Sequence, residues 1–135
     1  MNGLHIVAEL CDCHCPPSLL RRADVLCGLC RTVCSVPGLT PLGELFHQFT
    51  APDGKNAGAT GAVILAESHL AVHTWPEINA VTVDLYVCNF TQDNRAIACS
   101  VYDRIAAAFA PRRVRRREIG RELPFAPEPS SGTSG

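Results

Sequence analysis

The chain has 135 residues, 47% of them hydrophobic, and a formal net charge of −1 at pH 7. This length and apolar content predict one domain with a real core, of a size that gains from an oligomeric partner. A charge so close to zero gives no indication of a nucleic-acid or membrane partner. The chain start lacks the basic segment and apolar run of a signal peptide, and no apolar stretch is long enough to span a membrane, so we expect a cytoplasmic protein.

Hydrophobic periodicity and turn residues predict the elements in chain order. Residues 4–10 predict a first strand, and Pro16, Pro17 and Ser18 open a helix that runs to about Cys34, with Ser18 as its N-cap. The remaining predicted elements are strands at 39–50, 61–66, 70–74 and 80–88, a helix over about 92–110, and a last strand at 112–119.

This order predicts an α+β fold, a two-layer α/β sandwich in which two helices cover one face of a largely antiparallel sheet. The open face of such a sheet invites a second copy of the chain. We expect residues 1–120 to form the domain and residues 121–135 a flexible tail, because the chain ends in a Ser- and Gly-rich run. The arginine-rich segment 112–117 is interpreted as a strand edge or dimer contact rather than a nucleic-acid patch.

Residues 67–77, with the sequence ESHLAVHTWPE, carry a pattern that a simple globular domain does not need. Ser68 follows Glu67 and an apolar strand that would hold the backbone in place. A serine so held attacks the carbonyl of its own preceding peptide bond if that bond is strained and if oxyanion donors and a base are present. We prefer His73 to His69 as the base, with the chain folding back between Ser68 and His73.

This attack would convert the Glu67–Ser68 peptide into an ester. β-Elimination and hydrolysis would then cut the chain and leave a pyruvoyl group at position 68. A pyruvoyl ketone forms a Schiff base with a substrate amine and withdraws electrons from the bond to the substrate carboxylate. The motif therefore predicts a self-cleaving decarboxylase.

The motif resembles the processing segment of the bacterial-type S-adenosylmethionine decarboxylase proenzymes, a family of pyruvoyl-dependent decarboxylases. The likeness covers roughly residues 3–120. It includes residues 4–9 (LHIVAE), 46–49 (FHQF) and 83–88 (VDLYVC). The resemblance implies autocatalytic cleavage between Glu67 and Ser68, and a covalent pyruvoyl cofactor generated from Ser68.

The same resemblance implies roles for residues outside the cleaved bond. His73 would be the processing base, and Cys88 would return a proton to the substrate carbon after carbon dioxide leaves. Thr60 stands where the family usually has a serine whose hydroxyl assists processing. Threonine keeps the hydroxyl but restricts the rotamer, which bears on the rate of maturation.

The implied substrate is S-adenosylmethionine, whose decarboxylation supplies the aminopropyl donor for spermidine synthesis. Phe49 and Trp75 match aromatic positions near the adenine, and Glu77 matches the acid that receives the ribose hydroxyls. The family forms homodimers with active sites at the interface, and no metal ligand set is implied. The sequence leaves open whether dimers pair further and whether an activator such as putrescine is needed.

Three alternatives stay open at this point. A pyruvoyl group can withdraw electrons whatever the side chain of the substrate amine, so arginine or ornithine stays open as the substrate. The loop at 51–59, beside the aromatic residues of the site, is longer than is common in the family, which also leaves the substrate open. A second alternative is an uncleaved regulatory paralogue. The presence of Glu67, Ser68, His73 and Cys88 argues against it, because a chain without catalysis has no need of all four. A thiol-rich metal-binding module is a weaker rival.

Eight cysteines raise the question of disulfides or metal. Without an export signal we expect reduced thiols. No pair recurs at the far end of the chain to close a tetrahedral site, so we interpret the cysteines as packing residues and exposed thiols. They form one alternating cluster (Cys11, Cys13, Cys15) and one at helical spacing (Cys27, Cys30, Cys34).

Overall fold

The fold is known from a computed structural model that describes residues 1–89 and 94–127. These residues form six strands and three helices, with a short 3₁₀ turn at Pro76–Ile78. In chain order they are β1 Asn2–Cys13, α1 Pro17–Arg21, α2 Ala23–Cys34, β2 Pro41–Thr50, β3 Asn56–Leu65, β4 Ser68–Trp75, β5 Ala80–Asn89, α3 Asn94–Phe109 and β6 Pro111–Glu122.

The six strands form one sheet in the order β2-β3-β4-β5-β1-β6, and every neighbouring pair is antiparallel. All three helices pack against the same face. Side chains alternate between the two faces of a strand, and on β1, β4 and β5 every second residue is buried under the helices. The α+β sandwich is confirmed. None of the described helices is long and apolar enough to cross a membrane.

The other face of the sheet, which we call the open face, has no layer of described residues over it. Large apolar side chains point outward there. Leu45 is 76% exposed and Ile64 50%, beside the half-exposed aromatic rings of Phe49 and Trp75. Isolated exposed apolar residues are ordinary, but several on one sheet face indicate a surface that another molecule covers.

The first predicted helix is two helices, a correction that residue Arg22 explains. Arg22 has extended backbone angles, φ −108° and ψ 125°. The side chain of Gln48 on β2 accepts a hydrogen bond from the Ala23 N–H at 2.6 Å and donates one to the Arg21 carbonyl at 2.7 Å. One amide thus satisfies free backbone groups on both sides of the break. Ser18 is not the N-cap, since Pro16 takes that position.

The strands exceed the predicted bounds at most ends. β3 begins at Asn56, so only residues 51–55 form the turn that the sequence placed at 51–59. β6 continues to Glu122 and so includes residues 121 and 122, which were assigned to the tail. The predicted helix start at Gln92 lies outside the described residues.

Candidate active site

The turn between β3 and β4 places a strained residue at the predicted cleavage bond. Leu65 and Ser68 pair across the hairpin, leaving Ala66 and Glu67 as its two-residue loop. Glu67 has φ +63°, a left-handed conformation that costs a residue with a side chain about 1–2 kcal/mol. The Ala66 N–H donates to the Thr40 carbonyl at 2.9 Å, which fixes the loop from outside. Strain is therefore held on the residue whose carbonyl would be attacked.

Ser68 begins β4 and turns its side chain toward the helices, where the residue is 7% exposed. Its hydroxyl oxygen accepts a hydrogen bond from the backbone N–H of Cys88 at 3.1 Å. A donor on this oxygen stabilises negative charge there, either on an attacking alkoxide or on a departing carboxylate.

Cys88, near the end of β5, contacts the other side of the same bond. Its thiol donates to the Glu67 carbonyl oxygen at 2.9 Å. This oxygen becomes the oxyanion if the hydroxyl of Ser68 attacks. Cys88 thus supplies both donors: its backbone N–H to the nucleophile and its thiol to the carbonyl. We call Glu67, Ser68 and Cys88 the cleavage end of the site.

His73 and Thr60 lie elsewhere. They pair across β3 and β4, and the Thr60 hydroxyl is hydrogen bonded to His73 Nδ1 on the open face. β4 is one uninterrupted strand from Ser68 to Trp75, so the expected fold-back between Ser68 and His73 is wrong. Five residues of strand separate the two by about 17 Å, at about 3.3 Å per residue, and they face opposite sides of the sheet.

The predicted substrate residues lie beside His73. Phe49, Trp75 and Glu77 line a cavity of about 290 Å³ together with Thr60 and His73. The rings of His73 and Trp75 are 6.1 Å apart between centroids. We call these five residues the aromatic end of the site. Three larger cavities, with volumes of about 390 to 570 Å³, are lined by none of the predicted site residues.

A histidine–aspartate cluster on the open face was not predicted. The Asp84 carboxylate oxygen lies 2.6 Å from His5 Nε2 and 3.2 Å from His69 Nε2. Among the described residues these three alone bring metal-type donor atoms within 4.8 Å of one another. The carboxylate accepts from both imidazoles, so these donor atoms are hydrogen bonded to one another. Alternation along β5 could have indicated this cluster, because it places Asp84 on the same face of the strand as the predicted site residue Cys88.

The two cysteine clusters do not come together as a metal site within the described residues. All eight thiols are free. Burial raises the pKa of Cys13 and of Cys34 to about 11, and it raises the pKa of Cys30 further. Protonated thiols are poor metal ligands and poor nucleophiles, which supports the interpretation as packing residues.

Comparison with known proteins was made on sequence and on structure. Residues 4–122 match the family model described as S-adenosylmethionine decarboxylase. Similar curated proteins are the S-adenosylmethionine decarboxylase proenzymes of Hydrogenobaculum, 38% identical over 64% of this chain and 59% of that protein, and of Picrophilus torridus, 31% identical over 88% and 83%. The first match thus spans under two thirds of the relative's length.

A solved structure gives the same result. The crystal structure of the adenosylmethionine decarboxylase from Aquifex aeolicus aligns with a TM-score of 0.75 and 30% identity over 95% of both chains. The family model covers nearly the whole described fold, from β1 to the last residue of β6. The chain belongs to the S-adenosylmethionine decarboxylase family.

Proposed function

We propose that this chain is a proenzyme that cleaves itself at Glu67–Ser68 and then decarboxylates S-adenosylmethionine with the resulting pyruvoyl group. The observation that carries the proposal is the cleavage end. A residue with φ +63° precedes the serine, and Cys88 donates to both oxygens that would react. A chain that serves only as a regulatory partner has no use for this arrangement.

The proposed self-cleavage has three steps: ester formation, elimination and hydrolysis. The Ser68 oxygen attacks the Glu67 carbonyl carbon, the peptide C–N bond breaks, and the amine of residue 68 is freed as an ester forms. The Cys88 thiol stabilises the oxyanion in this step. Loss of the Ser68 α-proton then breaks the Cβ–Oγ bond. The upstream chain leaves as a carboxylate, and water replaces the resulting imine nitrogen, releasing ammonia and leaving the ketone.

A base is needed for both proton transfers, and the chain's own His73 is too far from its Ser68. We propose that a second copy supplies it, with the two open faces packed together around a twofold axis. Such symmetry places the aromatic end of one chain against the Cys88 side of the other chain's cleavage end. Ser68 is the first residue of β4, and its hydroxyl would turn toward the open face to meet His73 of the other chain. The exposed Leu45 and Ile64 support this face as the contact. Two complete sites then form in each homodimer.

The aromatic end suits S-adenosylmethionine. Phe49 and Trp75 offer ring faces for the adenine and attract the sulfonium cation, and Glu77 offers a carboxylate to the ribose hydroxyls. When formed, the pyruvoyl ketone supplies the electron sink for loss of carbon dioxide. Cys88 holds the proton that the substrate carbon then takes. The rings would also attract the cations of arginine and ornithine, but these substrates have no adenine to stack and no ribose hydroxyls for Glu77.

Cleavage is tested with Ser68→Ala, with Ser18→Ala as the matched control. Wild type and the control should give two fragments, the second starting at residue 68 with no free α-amino group by intact mass. Ser68→Ala should stay a single chain. A wild-type chain that stays intact, with an ordinary serine at 68, would refute the proposal. Carbon dioxide release from S-adenosylmethionine, arginine and ornithine, followed in parallel, then decides the substrate.

A further inference from the structure

Gly3 leaves a gap in the open face beside Cys88. It lies directly opposite Cys88 on one side and opposite Arg121 on the other. A Cβ on Gly3 would lie 2.7 Å from the Tyr86 ring, 3.0 Å from its hydroxyl and 2.9 Å from the Cys88 Cβ. Real side chains do not approach so closely. The Tyr86 ring therefore fills the space of the missing side chain, between the cysteine and the arginine.

The ring is held from its other sides as well. The Arg121 guanidinium lies 4.7 Å from the ring centroid, a cation–π arrangement. The rings of His5 and His69 each lie 5.7 Å away. The half-buried Tyr86 ring thus has little freedom to turn, and its hydroxyl stays beside Gly3, the residue that pairs with Cys88.

The Tyr86 hydroxyl keeps its proton. Burial raises the pKa of Tyr86, and hydrogen bonding to the Cys88 side chain and the charge of that group raise it further, against a lowering by Arg121. In the uncleaved chain the hydroxyl donates to Met1 Sδ at 3.6 Å. A thiolate is a stronger acceptor than a thioether, so a charged Cys88 sulfur would draw this donor to itself.

Self-cleavage would cut the chain at the group that the Cys88 thiol contacts in the uncleaved chain. The thiol donates to the Glu67 carbonyl, which after cleavage is no longer joined to residue 68. Cys88 is 8% exposed, so water offers its sulfur little compensation. The Tyr86 hydroxyl stays next to Gly3, which pairs with Cys88, and it is near enough for the Cys88 side chain to raise the pKa of Tyr86.

We propose that Tyr86 is a positioning residue for decarboxylation. Its hydroxyl donates to the Cys88 sulfur and aims the thiol at the substrate carbon. When the proton passes from sulfur to the carbon that lost carbon dioxide, the same hydroxyl stabilises the thiolate left behind. Cys88 regains a proton from water after product release. This inference rests on the proposed role of Cys88 as proton donor.

The chain's only other tyrosine provides a matched control. Tyr102 is also buried and also carries an arginine over its ring, Arg116 at 4.3 Å, but it lies on α3 under the sheet. Tyr86→Phe should process normally and lower kcat by about 10-fold with KM within about twofold, the loss expected for a hydrogen bond to a charged group. Tyr102→Phe should leave both unchanged.

A second readout does not depend on rate. A proton delivered to the carbon derived from Ser68, instead of the substrate carbon, leaves alanine at position 68 after hydrolysis and releases the substrate as an aldehyde. Intact mass of the 68–135 fragment after many turnovers should show more terminal alanine in Tyr86→Phe than in Tyr102→Phe. Gly3→Ala, whose Cβ would displace both the Tyr86 ring and the Cys88 side chain, should do the same.

A double-mutant cycle separates the two proposals. Cys88→Ala should be as slow as Cys88→Ala with Tyr86→Phe, because Tyr86 acts only through the thiol. If Cys88→Ala lowers kcat but Tyr86→Phe changes neither kcat nor the alanine fraction, the role of Tyr86 is wrong and that of Cys88 stands. Full activity in Cys88→Ala would instead remove the proposed proton donor itself.

Discussion

The two ends of β4 carry different halves of the proposed chemistry. At the cleavage end the groups are buried and held by backbone geometry, with Ser68 7% and Cys88 8% exposed. At the aromatic end His73 and Trp75 are exposed on the open face, and none of the described residues forms a layer over their cavity. A reacting bond needs fixed donors, whereas a substrate site needs access. The difference suggests that the cleavage end is complete within one chain, whereas the aromatic end needs a second molecule to close its cavity.

Mixing two inactive variants tests whether the halves meet across two chains, and it has the largest expected effect. His73→Ala and Ser68→Ala should each stay uncleaved alone. Refolded together, they should form dimers in which His73 of the Ser68→Ala chain serves the intact Ser68 of the other. Denaturing gels should then show cleavage of the His73→Ala chain alone. Cleavage of His73→Ala by itself would mean that no second chain supplies this base.

Removing the thiol tests the cleavage end from within. Cys88→Ala should lower turnover by about 100-fold, the scale of a lost general acid. Since the thiol contacts the Glu67 carbonyl, we also expect self-cleavage to slow by about 10-fold. Time courses on denaturing gels and of carbon dioxide release measure the two separately. An equal loss in both would argue against a separate role in turnover.

The hydroxyl at position 60 tests the aromatic end. Thr60→Val keeps the shape but removes the group bonded to His73 Nδ1, so the ring loses its fixed orientation. Self-cleavage should slow by about 10-fold, the effect expected when a hydrogen-bonding group that orients a reactive side chain is removed. Thr60→Ser should cleave within a few-fold of wild type. Similar rates in Thr60→Val and wild type would show that the hydroxyl orients nothing.

The strain at Glu67 has the smallest expected effect. In the uncleavable Ser68→Ala background, Glu67→Gly should raise the free energy of unfolding by about 1 kcal/mol, because glycine adopts positive φ without steric cost. Ala66→Gly should lower it, since that position has no positive φ to relieve. Denaturant titration measures both. With Ser68 present, Glu67→Gly should cleave a few-fold more slowly, and an unchanged rate would mean that the strain does not assist cleavage.

The sequence predicted the order of strands and helices because alternation and helical spacing report burial directly. It did not predict the break at Arg22, which depends on a Gln48 amide arriving from another strand. It also missed the cluster of His5, His69 and Asp84, whose members come from three strands. Such contacts depend on how neighbouring strands are aligned, and the sequence of one segment alone does not give this alignment.

The sequence of residues 67–77, with the shorter likenesses at 4–9, 46–49 and 83–88, predicted the family, which the comparisons confirm. It also predicted Glu67–Ser68 as the point of cleavage, because the chemistry of a serine acting on its own peptide bond is local. Which residues lie beside that bond depends on how the strands pair. Cys88 reaches it since β5 lies beside β4, whereas His73 is carried away by the same rigid strand that holds Ser68. An extended chain keeps residues near in sequence far apart in space, and hydrogen-bonded pairing brings distant ones together.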